Sequence, residues 1–339
     1  MRVLVTGAAG FIGSRVCKVL SEAGHAVARL DLVDSDGVSQ IDVRDQAALA
    51  PMLSDIDVVC HFAARTESGA GPGDYASTND QGTAVLLAAM DAAKVRRLVL
   101  ASSAEVYGEG VYRTIRGGPF FPGVRPRADL DRGRFDHRAP KSGEILTWEP
   151  ISEEAAPRPR SFYAASKVAQ ENYAFAWGLS TGSAVTVLRF ASVYGPGAHT
   201  GLPARFRDLL ANGTAPRVFE DGGQIRDFIH VDDAAAATRA AAECALPGFV
   251  PLNIASGQPL TVWEVASVMA AAASGPPPVV TGQYRLPDAR HLAPATVRAH
   301  RALGFTAATP PRAGLAAFAA GPGEAVVPTS PVVGERSPG

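Results

Sequence analysis

The stretch Thr6-Gly7-Ala8-Ala9-Gly10-Phe11-Ile12-Gly13 stands between an apolar β-type run, Arg2 to Thr6, and a helical pattern, Ser14 to Ala23. Glycines at this junction serve a tight turn, close approach of a pyrophosphate to the backbone, and close packing of helix on strand. The helix N-terminus then offers free N–H groups to phosphate oxygens. A second β-type run, His25 to Leu32, places Asp31 about twenty residues past the glycines, where an acid bonds the ribose hydroxyls of adenosine. A carboxylate there repels a 2′-phosphate. Leu32 and Val33 offer no arginine to receive one, and Arg29 reaches it only if the strand turns its other face. The expectation is an α/β fold, a doubly wound parallel sheet of Rossmann type, with Gly7, Gly10, Phe11, Ile12, Gly13 and Asp31 holding NAD rather than NADP.

Further strand and helix units follow. Ile41-Asp42-Val43 is expected under the adenine. Asp42 there either meets the adenine amino group or is a plain turn aspartate. Asp57 to Ala64 reads as a buried strand whose end, Phe62-Ala63-Ala64, brings backbone close to the cofactor; His61 within it reads as a packed core histidine. Asn79 opens a helix that continues through Gly82-Thr83. Arg97 to Ala101 is another strand, delivering Ser102-Ser103 at its C-terminal end, the side on which open parallel sheets bind ligands.

Ser161-Phe162-Tyr163-Ala164-Ala165-Ser166-Lys167 opens a helix-compatible run to Trp177. Tyr163 and Lys167 are four apart and share a helix face. A free phenol has a pKa of about 10, too high for a base at neutral pH. A nearby ammonium and a bound oxidised nicotinamide both favour the phenolate. A downward shift of about three units is worth roughly 4 kcal/mol and brings the phenol to working pH. Ser103 is placed to bond the same substrate oxygen as Tyr163.

The chain has 339 residues, 47% of them apolar, and a formal net charge of −1. No charge excess points to nucleic acid or a membrane surface. Cys17, Cys60 and Cys244 are scattered, with neither a disulfide framework nor metal-ligand spacing. Val3-Leu4-Val5 is too short for a signal peptide, and no apolar run approaches the ~20 residues of a membrane span. The expected location is the reducing cytoplasm, with no metal.

In this combination the chain resembles the extended short-chain dehydrogenase/reductase family, in its nucleotide-sugar epimerase/dehydratase branch. The likeness rests on the glycine stretch, Asp31, His61-Phe62-Ala63-Ala64, Asn79 with Gly82-Thr83, Ser102-Ser103-Ala104-Glu105-Val106-Tyr107-Gly108, and Tyr163 with Lys167. It continues through Leu188-Arg189-Phe190, Val193 to Gly197, Asp221 to Asp233, and Tyr284 to His291. The resemblance implies Ser103, Tyr163 and Lys167 as the catalytic set, with Lys167 on the nicotinamide ribose. Asn79 is implied near the nicotinamide, and Arg226 and Arg285 at phosphate or sugar. It implies a nucleotide-sugar lobe at 189–320 after an NAD domain at 1–188, which a strand near 228–232 rejoins, and a homodimer paired through the helices near Asn79 and Tyr163. Residues 321–339 read as a disordered tail.

Four departures from the family pattern stand out. About thirty-five extra positions, near 109–150 and rich in Arg, Gly and Pro, separate Ser103 from Tyr163. An irregular excursion is expected, with a short hairpin around Glu144 to Trp148, acting as a cap on the sugar pocket, a dimer surface or a solvated decoration. Arg138 to Gly143 resembles a zinc knuckle of some relatives without its cysteines. Ala104 stands where dehydratases carry the first acid of an Asp-Glu pair, leaving Glu105 alone. Ser192 replaces an Asn expected on the substrate diphosphate, and Pro287 a glycine before Asp288. The function implied is an NAD-dependent nucleotide-sugar 4-epimerase. The alternatives are a decarboxylase or 4,6-dehydratase of the same family, or a non-catalytic NAD-sensing protein.

Overall fold

The computed structural model describes residues 1–67, 69–113 and 117–321. Seven strands, β1 (Arg2–Thr6), β2 (Ala26–Asp31), β3 (Ser39–Gln40), β4 (Val58–His61), β5 (Arg97–Ser103), β6 (Ala184–Phe190) and β7 (Phe249–Ile254), form one parallel sheet. Its order is β7-β6-β5-β4-β1-β2-β3. The order reverses between β1 and β4, and a crevice at such a switch point receives dinucleotides.

Buried parallel strands need apolar side chains on both faces. Val3 and Val5 of β1 enter one core, with Val99 and Ala101 of β5. Leu4, Leu98 and Leu100 enter the other, each strand alternating with period two. Helices α1 (Phe11–Glu22) and α5 (Val231–Glu243) cover the first face; α2 (Gln46–Met52), α3 (Gly82–Ala92) and α4 (Phe162–Thr181) cover the second. The many alanines of α5 fit there because it lies close on the sheet, burying Ala234, Ala235, Ala237, Ala241 and Ala242.

The helical run that contains Asn79 starts earlier than its sequence suggested. Pro72 occupies its first turn and Asp74 caps the Gly71 N–H at 2.9 Å. Proline suits that position because its missing N–H would be unpaired there anyway. A single wider turn, Ala76–Gln81, then feeds α3.

The C-terminal lobe has its own core, built on Tyr194, Phe206, Phe228, Met269 and Leu315. The strand expected near 228–232 is Phe228–His230, and it pairs with Ser192–Tyr194 in a separate two-stranded sheet. The segments that rejoin the first domain are α5 and β7 instead, because β7 supplies the six-residue partner that β6 needs. A three-stranded sheet carries Ile225–Arg226 between Leu260–Thr261 and His291–Leu292.

The insertion has more order than its composition suggested. Val111–Arg113 is the centre of an antiparallel sheet with Pro119–Phe120 and Thr147–Glu149. A bridge between Arg138 and Ile145 closes the turn where a hairpin was expected. Thr147–Glu149 thus pairs with a strand some thirty-five positions earlier, while Arg116 and residues 322–339, the greater part of the expected tail, lie outside the described residues. No helix among the described residues is long and apolar enough to cross a membrane.

Candidate active site

The glycine stretch folds as a tight turn over the end of β1. Gly7 has φ +69°, and a Cβ there would meet Ala63 N at 2.6 Å. A Cβ on Gly13 would fall 2.0 Å from Gly7 O, so α1 packs against the turn without side-chain clearance. Gly10 differs: its only close neighbour is Gly7 O at 3.2 Å, and its other side is open. Gly10 is the N-cap of α1, where no side chain caps the helix and no acid stands in the first turn. Uncapped N–H groups at a helix start, next to an open glycine, form an anion cradle that fits a dinucleotide pyrophosphate. Gly13→Ala is expected to lower both the melting temperature and the NAD content of the purified protein, read by thermal unfolding and by NAD release on denaturation.

The backbone N–H groups of Phe11 and Ile12 belong to that helix start, while their side chains pack on apolar cores. Phe11 packs on the lobe core and lies 3.5 Å from the Cβ direction of Gly197; Ile12 packs on the sheet core. Asp31 accepts from Ala9 N at 2.9 Å and Val33 N at 3.2 Å, so the carboxylate braces the turn while keeping lone pairs for a ribose. Asp42 is engaged by the neighbouring Arg44, whose backbone N also donates to it at 2.9 Å. Arg44 takes both its oxygens at 2.5–3.0 Å and, by those hydrogen bonds, holds its carboxyl below the usual range. Val43 is a core residue against Gly82.

Thr6 Oγ1 accepts from Phe62 N and Ala63 N at 3.2 and 3.1 Å, fixing the chain that leads to Ala64 after β4. Its own proton is then left for His61 Nδ1 at 2.7 Å, so His61 Nε2 carries the hydrogen given to Thr83 at 3.1 Å. Burial, with the charge of Lys167, depresses its pKa to about 3. His61 is the packed, neutral core histidine its place in the strand implied. Asn79 is fully buried: Oδ1 accepts from Arg65 N at 2.7 Å, and Nδ2 donates to Arg65 O and to Ser166 Oγ at 3.1 and 2.8 Å. Both of its N–H donors are spent on clamping the loop after β4 to α4. The amide N–H groups are thus engaged, and a cofactor contact falls to Oδ1, which accepts one hydrogen bond, from Arg65 N.

Ser161 caps α4 by accepting from Ala164 N at 3.1 Å, which places Tyr163 and Lys167 one turn apart on the face toward β5. Lys167 Nζ donates to Ala101 O at 2.9 Å and lies 5.8 Å from the Tyr163 ring centroid. Burial lowers its pKa to about 8, opposed by the Glu171 carboxylate. Burial and the Glu105 carboxylate push Tyr163 well above the ordinary phenol value, and the Ser103 hydroxyl beside it pulls the other way. Glu105 is itself raised by the surrounding walls, with Arg226 opposing and Asp288 adding to the rise. Glu105→Gln removes a charge that disfavours the phenolate. The acid limb of kcat/KM against pH is therefore expected to move to lower pH.

One pocket joins Ser103, Glu105, Arg160, Ser192, Arg226 and Asp288. Arg226 Nη1 donates to Ile225 O at 2.8 Å and Nη2 to Ala289 O at 2.6 Å; among the described residues it has no carboxylate partner. Carbonyls fix its direction, and its charge is felt by the Glu105 and Asp288 carboxylates in the same pocket. Arg285 is exposed and stacks over Phe219 at 5.3 Å, outside that pocket lining. Arg290 pairs with Asp136, Glu220 and Asp221 at 2.7–3.0 Å and is buried. Arg160 and Asp288 were not singled out in the sequence. Position 160, three residues before Tyr163, was the available signal.

A Rossmann sheet with a Ser–Tyr–Lys set at its C-terminal edge and a lobe facing it defines a nicotinamide-dependent enzyme working on sugar nucleotides. The chain belongs to the NAD dependent epimerase/dehydratase family, whose model matches residues 3–126 and 137–255. Its relatives differ in reaction. It is 32% identical to a dTDP-L-rhamnose 4-epimerase of Burkholderia thailandensis, with 86% of each chain covered. It is 28% identical to a UDP-N-acetyl-alpha-D-glucosaminuronate decarboxylase of Bacillus cytotoxicus, with 78% of each covered. The solved structure of MoeE5 in complex with UDP-glucuronic acid and NAD superposes with a TM-score of 0.76 at 31% identity, covering 94% of this chain and 98% of that one.

Proposed function

We propose that this chain is a nucleotide-sugar 4-epimerase. The observation that carries this reading is Ala104, buried at the start of the turn after Ser103. A 4,6-elimination needs an acid to expel the C6 hydroxyl as well as a base at C5, and position 104 supplies no carboxyl beside Glu105. When bound, NAD supplies a reversible two-electron acceptor at the nicotinamide ring. Tyr163 takes the proton of the C4 hydroxyl and returns it after the ring has presented its other face. Ser103 bonds the reacting oxygen in both protonation states. Lys167, held by Ala101 O, keeps a positive charge beside the phenol and the ribose. Arg226 receives the diphosphate, with Ser192 making a shorter hydrogen bond than an amide would. Because the oxidation is undone within each turnover, NAD stays bound and the reaction needs none added.

Incubation with candidate nucleotide sugars is expected to give an equilibrium mixture of C4 epimers without added NAD, read by nuclear magnetic resonance of the sugar. A 4-keto-6-deoxy product overturns this reading in favour of the dehydratase. The second reading is decarboxylation of a uronic acid sugar, as in the decarboxylase relative, for which carbon dioxide release is the signature.

A homodimer through α3 and α4 belongs to the same proposal. Phe162, Tyr173, Phe175 and Leu179 of α4 are 48–76% exposed. Large apolar groups grouped on one helix favour a partner face. Sedimentation at micromolar concentration is expected to give a dimer, and a monomer overturns the pairing.

A further inference from the structure

The insertion begins at Glu109, and this buried carboxylate is a junction. Oε1 accepts from Gly110 N at 3.1 Å, Tyr112 OH at 3.0 Å and His291 N at 3.0 Å. Oε2 accepts from His137 Nε2, Arg160 Nη1 and Arg290 N, each at 3.0 Å. Burial alone would raise its pKa, but the hydrogen bonds from His137 and from the His291 and Arg290 backbone hold it far below the carboxylate range. Glu109 is therefore a fixed anion. Tyr112 and His137 come from the insertion, Arg290 and His291 from the lobe, and Arg160 from the segment leading into α4.

Of these groups, Arg160 lines the pocket. Its Nη2 donates to Gly123 O at 2.9 Å, another insertion atom, with Pro122 O at 3.4 Å. A guanidinium has five N–H donors. Its Nε–H and one Nη1–H have no protein partner among the described residues. Both belong to a side chain that shares the pocket with Ser103, three positions before Tyr163. Arg226 comes from the lobe and suits the diphosphate, whereas Arg160 leads into the helix that carries Tyr163 and Lys167. Glu109 already balances its charge, so Arg160 offers directed hydrogen bonds to neutral hydroxyls more than a net field.

We propose that Arg160 is a specificity-determining residue that hydrogen-bonds hydroxyls of the sugar ring, and that Glu109, with the insertion, is the positioning residue that aims it. This rests on the proposed nucleotide-sugar site and assigns the insertion a role in substrate choice. A neutral hexose ring fits these donors. A uronic carboxylate would share the pocket with Glu105 and Asp288.

The test is binding of two pairs of probes, UDP-glucose with UDP and dTDP-glucose with dTDP, by calorimetry on the full chain. In Arg160→Gln, the sugar nucleotide of the better-binding pair is expected to weaken roughly tenfold or more, the size of a lost hydrogen bond to a charged group. The free nucleoside diphosphate should bind as it does to the parent. Glu109→Gln should move the same ratio in the same direction, whereas a merely structural role would lower the melting temperature and leave the ratio alone. An unchanged ratio in folded Arg160→Gln overturns the proposal, as does an equal loss for sugar nucleotide and diphosphate. If the parent binds neither sugar nucleotide, the nucleotide-sugar reading itself fails, and this inference with it.

Discussion

Tyr163→Phe is expected to lower turnover by roughly 10²–10⁴-fold, the usual contribution of a positioned acid–base group. The substitution removes one oxygen and keeps the ring, which packs near Tyr75 at a centroid distance of 6.2 Å. The site should therefore keep its shape. Ser103 remains and can still donate to the sugar oxygen, but a hydroxyl whose neighbour is Glu105 N at 3.1 Å has no means of storing the C4 proton. Binding of the nucleotide sugar, followed by thermal shift, should change little, so the loss falls on kcat. Turnover equal to the parent would remove Tyr163 from the chemistry.

The second large effect is on stability. Glu220→Ala is expected to cost about 3–5 kcal/mol, the range for breaking a buried ion pair by deleting one partner. Arg125 donates Nη1 and Nη2 to Glu220 at 2.9 and 2.6 Å, and Arg290 Nη1 reaches it at 3.0 Å. The side chains of Glu220 and Arg125 are 1% and 2% exposed. Without Glu220, Arg290 keeps Asp136 and Asp221, but Arg125 retains only the Phe135 and Asp288 carbonyls. A buried guanidinium without an anion is the source of the cost. Glu220 has φ +52°, and alanine carries the same backbone strain there, so the loss reports the side chain. The urea midpoint should fall, and the double variant Arg125→Met/Glu220→Met should recover much of it, since apolar groups of similar volume replace such pairs at little cost. Asp288 lies in the pocket lining and is held through Arg125, so substrate affinity should fall with Glu220→Ala as well.

These contacts with the lobe count against one of the roles considered for the insertion, that of a solvated decoration. Asp136 reaches Arg290, Arg125 reaches Glu220, and Asp131 pairs with Tyr284. A solvated decoration would not exchange buried charges with the lobe that walls the pocket. The sequence showed the arginines of this segment but not the acid that Arg125 would meet, which lies 95 positions away.

Local stereochemistry and short periodicities were enough for the first fold decisions. A glycine that must take φ +69° at Gly7, an uncapped helix start at Gly10, period-two strands and a four-residue spacing between Tyr163 and Lys167 are all written within a dozen neighbouring residues. The sheet, the turn over it and the pairing of phenol with lysine follow from them. Tertiary structure alone decided that Asn79 spends both amide N–H donors on Arg65 and Ser166, that Asp42 is engaged by Arg44, and that burial and Glu105 act together on the phenol. Desolvation and hydrogen-bond partnership depend on which distant segments arrive, and no spacing along the chain encodes that arrival directly.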